Sequence, residues 1–138
     1  MERIIAYFSW DRLYNYFGML AGFVFSALGG WDAPLRLLVA AMALDYLSGV
    51  LAAIKEKKLS SAVGFHGLAR KLTVFLLIVL ASALDALTGS APACRSAAIL
   101  FYFVNEAVSL AENASRLGVP VPEKLKEVLE QLRGGEVR

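Results

Sequence analysis

The sequence predicts an all-α membrane protein. It has about four transmembrane helices, with three as the alternative count, and a short C-terminal amphipathic helix on the cytoplasmic side. Three observations predict this. Of the 138 residues, 58% are hydrophobic and only 19% are charged, against roughly 25% charged in an ordinary soluble domain. A chain this short buries only part of its surface and needs polar groups to cover the rest. The apolar residues also fall in blocks, each near the ~20 residues that a helix rising ~1.5 Å per residue needs to cross ~30 Å of hydrocarbon.

The blocks lie at residues 13–30, 33–54, 72–88 and 96–115. The first has no charge after Arg12. Ahead of it, residues 4–16 carry Tyr7, Phe8, Trp10, Tyr14 and Tyr16, and such rings favour the membrane–water interface. The second block contains Arg36 and Asp45, and the third contains Asp85. The fourth is polar in its second half, where it carries Asn105, Glu106 and Glu112. Gly29-Gly30-Trp31-Asp32 followed by Pro34, and Gly89-Ser90-Ala91-Pro92, are turn sequences. Residues 55–71 form a longer connection, expected to be partly irregular because of Gly64 and Gly67.

That connection holds Lys55, Lys57, Lys58, Arg70 and Lys71 against Glu56 alone. By the positive-inside rule it faces the cytoplasm, as a basic loop on the membrane surface. The tail adds Arg116, Lys124, Lys126, Arg133 and Arg138, and the N-terminus has Arg3 and Arg12. Four spans with both termini cytoplasmic satisfy this distribution. The organisation is then a membrane domain over residues 1–118 and a tail over 119–138. Val119-Pro120-Val121-Pro122 breaks the fourth helix, because proline lacks the amide donor. In the tail, Leu125, Val128, Leu129 and Leu132 share one helix face.

Composition also narrows function. The net charge is +2 with no basic stripe, which does not fit a nucleic-acid-binding protein. One cysteine, Cys94, and one histidine, His66, leave no disulfide framework and no Cys- or His-based metal site. No nucleophile–base set can be assembled, so neither an enzyme nor a cofactor is expected. Glu2, Asp11 and aromatics stand where a secretory signal needs a basic segment and an apolar run.

Three features are candidates for function. Gly18, Gly22 and Ser26 follow each other at four-residue spacing, and Gly49 lies on a similar small-residue stripe beside Asp45. Small residues let helix backbones approach closely in lipid, either between subunits or within one chain. Asp45 sits near the middle of its span, where a charge costs ~2.5–3.5 kcal/mol to insert. It is either a pore-lining or assembly-controlling carboxylate, or one satisfied inside the bundle. Asn105, Ser109, Glu112 and Asn113 share one helical face, which Glu106 widens. This face calls for a water-filled lumen or polar partners, unless the span ends near Ala107. Asp85 with Arg95, and Arg36 with Asp32, are candidate ion pairs.

Asp45-Tyr46-Leu47-Ser48-Gly49-Val50, the run from Lys55 to Ser61, and the run from Gly64 to Lys71 resemble the phage holins of the toxin secretion/phage lysis group. So do Phe101-Tyr102-Phe103-Val104-Asn105-Glu106 and the stretch from Glu112 to Leu125. The resemblance implies a multispan protein that forms homo-oligomers in the bacterial cytoplasmic membrane. Such proteins open large lesions that release a cytoplasmic cell-wall hydrolase, the endolysin, or pass a large toxin. It hands over no catalytic site. Anionic lipids are the expected partners of the basic loop, at ~1 kcal/mol per Lys or Arg. A small ion channel or transporter using the intramembrane carboxylates is the alternative.

Overall fold

The computed structural model describes residues 10–89 and 91–134. Most of the expected aromatic interfacial segment, residues 4–9, and the end of the tail lie outside them. Five helices follow in order: α1 (Trp10–Ala27), α2 (Ala33–Lys55), α3 (Ser61–Thr88), α4 (Ala93–Leu117) and α5 (Glu123–Gly134). No strand occurs among the described residues.

Each boundary has a local cause. Asp32 caps α2, its Oδ1 accepting the Leu35 amide at 3.1 Å, and Pro34 fills the first turn. Three helices end in the same way, with a left-handed residue followed by paired amide bonds back to the last turn. At α1, Gly29 (φ +80°) donates to Ser26 O and Gly30 donates to Phe25 O. At α4, Gly118 (φ +87°) and Val119 donate to Ser115 O and Ala114 O. At α2 the left-handed position is held by Lys57 (φ 56°), a non-glycine residue, whose amide bonds Ile54 O while that of Lys58 bonds Ala53 O.

The connection from α2 to α3 is therefore short, and the expected irregular segment up to Lys71 is helical. Its glycines have a packing role. A Cβ on Gly64 would meet the Tyr46 hydroxyl at 3.5 Å, and one on Gly67 would meet the Tyr46 ring at 3.5 Å. They let the ring lie flush against α3, and they do not break the helix.

Helices α2, α3 and α4 form the bundle. Arg95 lies beside Asp32, and Arg116 beside Glu56, so α2 and α4 run parallel. Helix α3 runs antiparallel to both, with Asp85 at the start of α4 and Lys71 against Asp45. Packed between them are Leu28, Leu35, Leu38, Met42, Val74, Ile78 and Ile99. On the outer faces, Leu37, Leu44, Leu47 and Leu51 of α2 and Leu72, Leu76, Leu80 and Leu84 of α3 stay exposed. A rim of that size and apolarity suits lipid better than water.

Two helices are long and apolar enough to cross a membrane, Ala33–Lys55 and the Gly64–Thr88 part of α3. Helix α1 and helix α4 do not meet that criterion among the described residues. Helix α1 touches α3 only near its end and is otherwise exposed along its length. Helix α5 folds back on α4 and buries Leu129 there, leaving Leu125, Val128 and Leu132 substantially exposed.

Candidate functional site

A chain of polar contacts runs along the interior of the bundle, between helices whose outer faces are apolar. At its centre stands Lys71 of α3. Its ammonium donates to Asp45 Oδ2 of α2 at 2.8 Å and to Glu106 Oε2 of α4. All three residues are buried, at 7%, 5% and 5% exposure. One cation thus serves two carboxylates from two other helices, for a formal net charge of −1. Isolated, each of these charges would be very costly to bury. Together they tie α2, α3 and α4 at mid-length.

Asn113 extends the cluster. Its Nδ2 donates to Asp45 Oδ1 at 3.1 Å, Asp45 O at 3.3 Å and Ser48 Oγ at 3.0 Å. Gly49 faces this contact, and a Cβ there would lie 3.4 Å from that nitrogen, at the near edge of ordinary contact. Arg116 then donates to Asn113 Oδ1 at 3.0 Å and grips both oxygens of Glu56, while Lys55 Nζ donates to Arg116 O. Arg116 holds the Glu56 carboxyl below its ordinary range, and Glu56 in turn raises the guanidinium. A cleft of about 210 Å³ opens beside this end of the network, lined by Tyr46, Arg70 and Ser109 among others.

The opposite end has its own ionic knot. The buried Arg95 guanidinium donates to Leu28 O at 2.6 Å and Gly30 O at 3.0 Å, the orphan carbonyls where α1 ends. It also forms a fork with Asp32, at 2.7 and 3.1 Å. This hydrogen bonding keeps the Asp32 carboxyl below its ordinary range. The expected Asp85–Arg95 side-chain pair is not formed. Asp85 accepts the backbone amides of Cys94 (2.9 Å) and Arg95 (2.8 Å), so it caps α4 from a neighbouring helix, where Pro92 supplies no side-chain cap. Among the ion pairs present, Asp32 is partnered by Arg95, not by Arg36.

Of the residues singled out in the sequence, Asp45, Glu106, Ser109, Asn113 and Gly49 come together in this one network. Asn105 and Ser109 are half-buried and Glu112 is exposed, along the groove that α5 partly covers. Gly18 and Gly22 face open space, and Ser26 is exposed beside them. Lys55, Lys57 and Lys58 mark the α2–α3 turn, and Arg70 lies on the surface of α3. Lys71 departs from the surface-loop expectation, since it is a buried helical residue. Its signal was periodic: Lys71, Val74, Ile78, Ala81 and Asp85 are the buried positions of α3 and recur at helical spacing. The adjacent Arg70 disguised it as part of a basic run. His66 and Cys94 are exposed, and no three metal-ligating side chains converge among the described residues.

A family model described as the bacteriophage holin family matches residues 22–134. The chain is 39% identical over 133 residues to an uncharacterized 14.9 kDa protein of Clostridium perfringens, covering 96% of this chain and 97% of the relative. It is 38% identical over 113 residues to an uncharacterized protein of Listeria monocytogenes, covering 82% and 79%. A Bacillus subtilis protein, also uncharacterized, is 34% identical over 126 residues, covering 89% and 94%. No solved structure matches the chain.

Proposed function

The chain belongs to the bacteriophage holin family, and from that premise we propose that it oligomerises in the bacterial cytoplasmic membrane and permeabilises it. The lesion would release a cell-wall hydrolase for host lysis, or pass another large protein, with no direct contact between the two required. The observation that carries this reading is the buried ionic network joining Asp45, Lys71, Glu106 and Asn113. In a single subunit these groups satisfy one another, so the bundle is closed, and the outer faces of α2 and α3 are apolar. Exchanging the same contacts between subunits would turn polar surface toward a common, water-filled space at little cost in hydrogen bonds. Many subunits doing so together would open a hole bounded by α4, with Asn105, Ser109 and Glu112 already on its accessible side.

In this reading α1 and α4 cross the membrane beside α2 and α3, with both termini cytoplasmic. The lysines at the α2–α3 turn lie on anionic headgroups, and the tail leaves α4 on the cytoplasmic side before α5 folds back along it. The small-residue stripe Gly18, Gly22 and Ser26, which meets nothing within the subunit at its glycines, supplies helix contacts between subunits. A small channel using Asp45 and Glu106 as ion ligands is less well supported, because Lys71 already occupies both carboxylates.

The test is inducible expression in a bacterium, with and without a cytoplasmic hydrolase that has no export signal. Turbidity and release of a folded cytoplasmic reporter are followed. Abrupt clearing that requires both proteins is the expected result. Loss of membrane potential without clearing or reporter release would replace this reading with a small channel.

A further inference from the structure

The cavity of about 320 Å³ where α3, α4 and α5 meet has a composition unlike the rest of the bundle. Arg70 of α3 and Arg133 of α5 line it from opposite helices, and neither makes an ion pair with another described residue. The buried cations Lys71 and Arg95, by contrast, are both matched by carboxylates. Asn105, Tyr102 and Ser109 of α4 add an amide and two hydroxyls, and Val74 and Val108 make the rest of the wall apolar. Glu112 is the one acidic group there. The lining therefore carries a formal charge of +1.

From this we infer that the cavity binds the phosphodiester headgroup of an anionic membrane phospholipid. The inference rests on the membrane reading of α2 and α3. Eighteen residues separate Arg70 from Thr88 at the far end of α3, which is ~27 Å of helix at ~1.5 Å per residue. That nearly equals the ~30 Å of hydrocarbon core. With Thr88 at one interface, the long Arg70 side chain snorkels toward the headgroups of the other from a position inside the span. A lining of +1 matches a singly charged phosphodiester better than a doubly charged phosphate monoester. Guanidinium forks suit phosphate oxygens geometrically, and the valine wall suits the glycerol and first acyl carbons. The lipid would join α3 to α5 through Arg70 and Arg133, and so hold the tail helix against α4.

The experiment uses the full chain in detergent micelles. Native mass spectrometry measures retention of phosphatidylglycerol against phosphatidylcholine. Preference for phosphatidylglycerol is expected. Arg70→Gln and Arg133→Gln should each weaken it roughly fivefold, from the ~1 kcal/mol that a basic residue contributes at an anionic surface. Glu112→Gln should strengthen it, and Lys124→Gln, on the exposed face of α5 outside the cavity, should leave it nearly unchanged. Both arginines are exposed, and circular dichroism checks that the variants stay folded. Equal retention of the two lipids overturns the inference, as does a preference that survives the double arginine variant. Displacement by inorganic phosphate would assign the cavity to a soluble anion and overturn the lipid assignment. Flotation with pure phosphatidylcholine vesicles tests the membrane reading separately. Protein that floats but shows no lipid preference overturns this site alone, and protein that fails to float overturns both.

Discussion

Lys71 and Asp45 stand 26 positions apart in sequence and 2.8 Å apart in the bundle, as a buried ion pair between antiparallel helices. The same ammonium serves Glu106. Lys71→Met removes the cation shared by Asp45 and Glu106 and leaves two buried carboxylates facing each other. Breaking a buried pair in this way costs ~3–5 kcal/mol. Denaturant unfolding in micelles should show a loss of that order, with Lys71→Arg less affected. Replacing all three groups, as Asp45→Leu, Lys71→Met and Glu106→Leu together, should recover most of the loss, because apolar substitution of a whole ionic cluster is often neutral or stabilising. In cells the triple variant should insert but trigger late or never, if the polar contacts are what subunits exchange. Recovered stability with unchanged lysis timing at matched protein levels would separate the cluster from assembly.

The Arg95–Asp32 fork predicts an acid dependence whose sign follows from the lowered Asp32 carboxyl. A carboxyl held lower in the folded state than in the unfolded one contributes stability above its unfolded value, ~3.9. That contribution is lost as pH falls through the folded-state value. Asp32→Asn should therefore lower thermal stability at neutral pH and flatten its fall in acid. The effect is expected to be modest, since the Asp32 side chain is 44% exposed. Melting curves of the two proteins that stay parallel down to the lowest pH would remove the fork from the stability of this end.

Gly29 and Gly118 both end helices in the left-handed region, yet their substitutions should differ. Alanine at either carries the steric cost of that conformation, ~1–2 kcal/mol. At Gly118 the new Cβ meets the Lys55 ammonium at 3.6 Å, an ordinary contact with a flexible chain end. At Gly29 it lies 2.7 Å from Arg95 Nε and 2.8 Å from its Cδ. That guanidinium cannot swing aside without giving up Leu28 O, Gly30 O and Asp32. Gly29→Ala should thus destabilise the protein clearly more than Gly118→Ala, and comparison of unfolding midpoints checks the order.

These cases also mark what the sequence could disclose. The all-helical, apolar character, the turn at Gly29–Pro34, and the placing of Asp45, Glu106 and Asn113 on helices follow from composition and helical spacing, which are local properties. The partners do not. Lys71 and Arg70 are neighbours with the same charge, and only their angular position on α3 sends one to the core and the other to the surface. Gly64 and Gly67 have the composition of a loop, yet both lie inside α3 and face the Tyr46 side chain of α2. Asp85 sits ten residues before Arg95, close enough to suggest a side-chain pair, but the carboxylate is spent on the amides at the start of α4. Such choices are decided by which helices run parallel, and no window of sequence contains that information.

Helix α1 makes the last contrast. Gly18 and Gly22 have nothing within 4 Å of a notional Cβ, while a Cβ on Gly49 would already touch Asn113 at 3.4 Å, leaving no room for a larger side chain. A bulky residue at Gly18 or Gly22 should leave the fold of one subunit intact, and Gly49→Leu should disrupt it. If the α1 stripe packs between subunits, Gly22→Leu forces those backbones apart and forfeits the van der Waals contact that drives helix association in lipid. Cross-linking in membranes should then show fewer oligomers for Gly22→Leu at unchanged expression, with lysis delayed or abolished. Leu20→Ala, on the same exposed helix, controls for a general effect of altering α1. Oligomers that form as readily in Gly22→Leu as in the natural sequence would move the subunit contact away from α1, leaving the α4 groove to supply it.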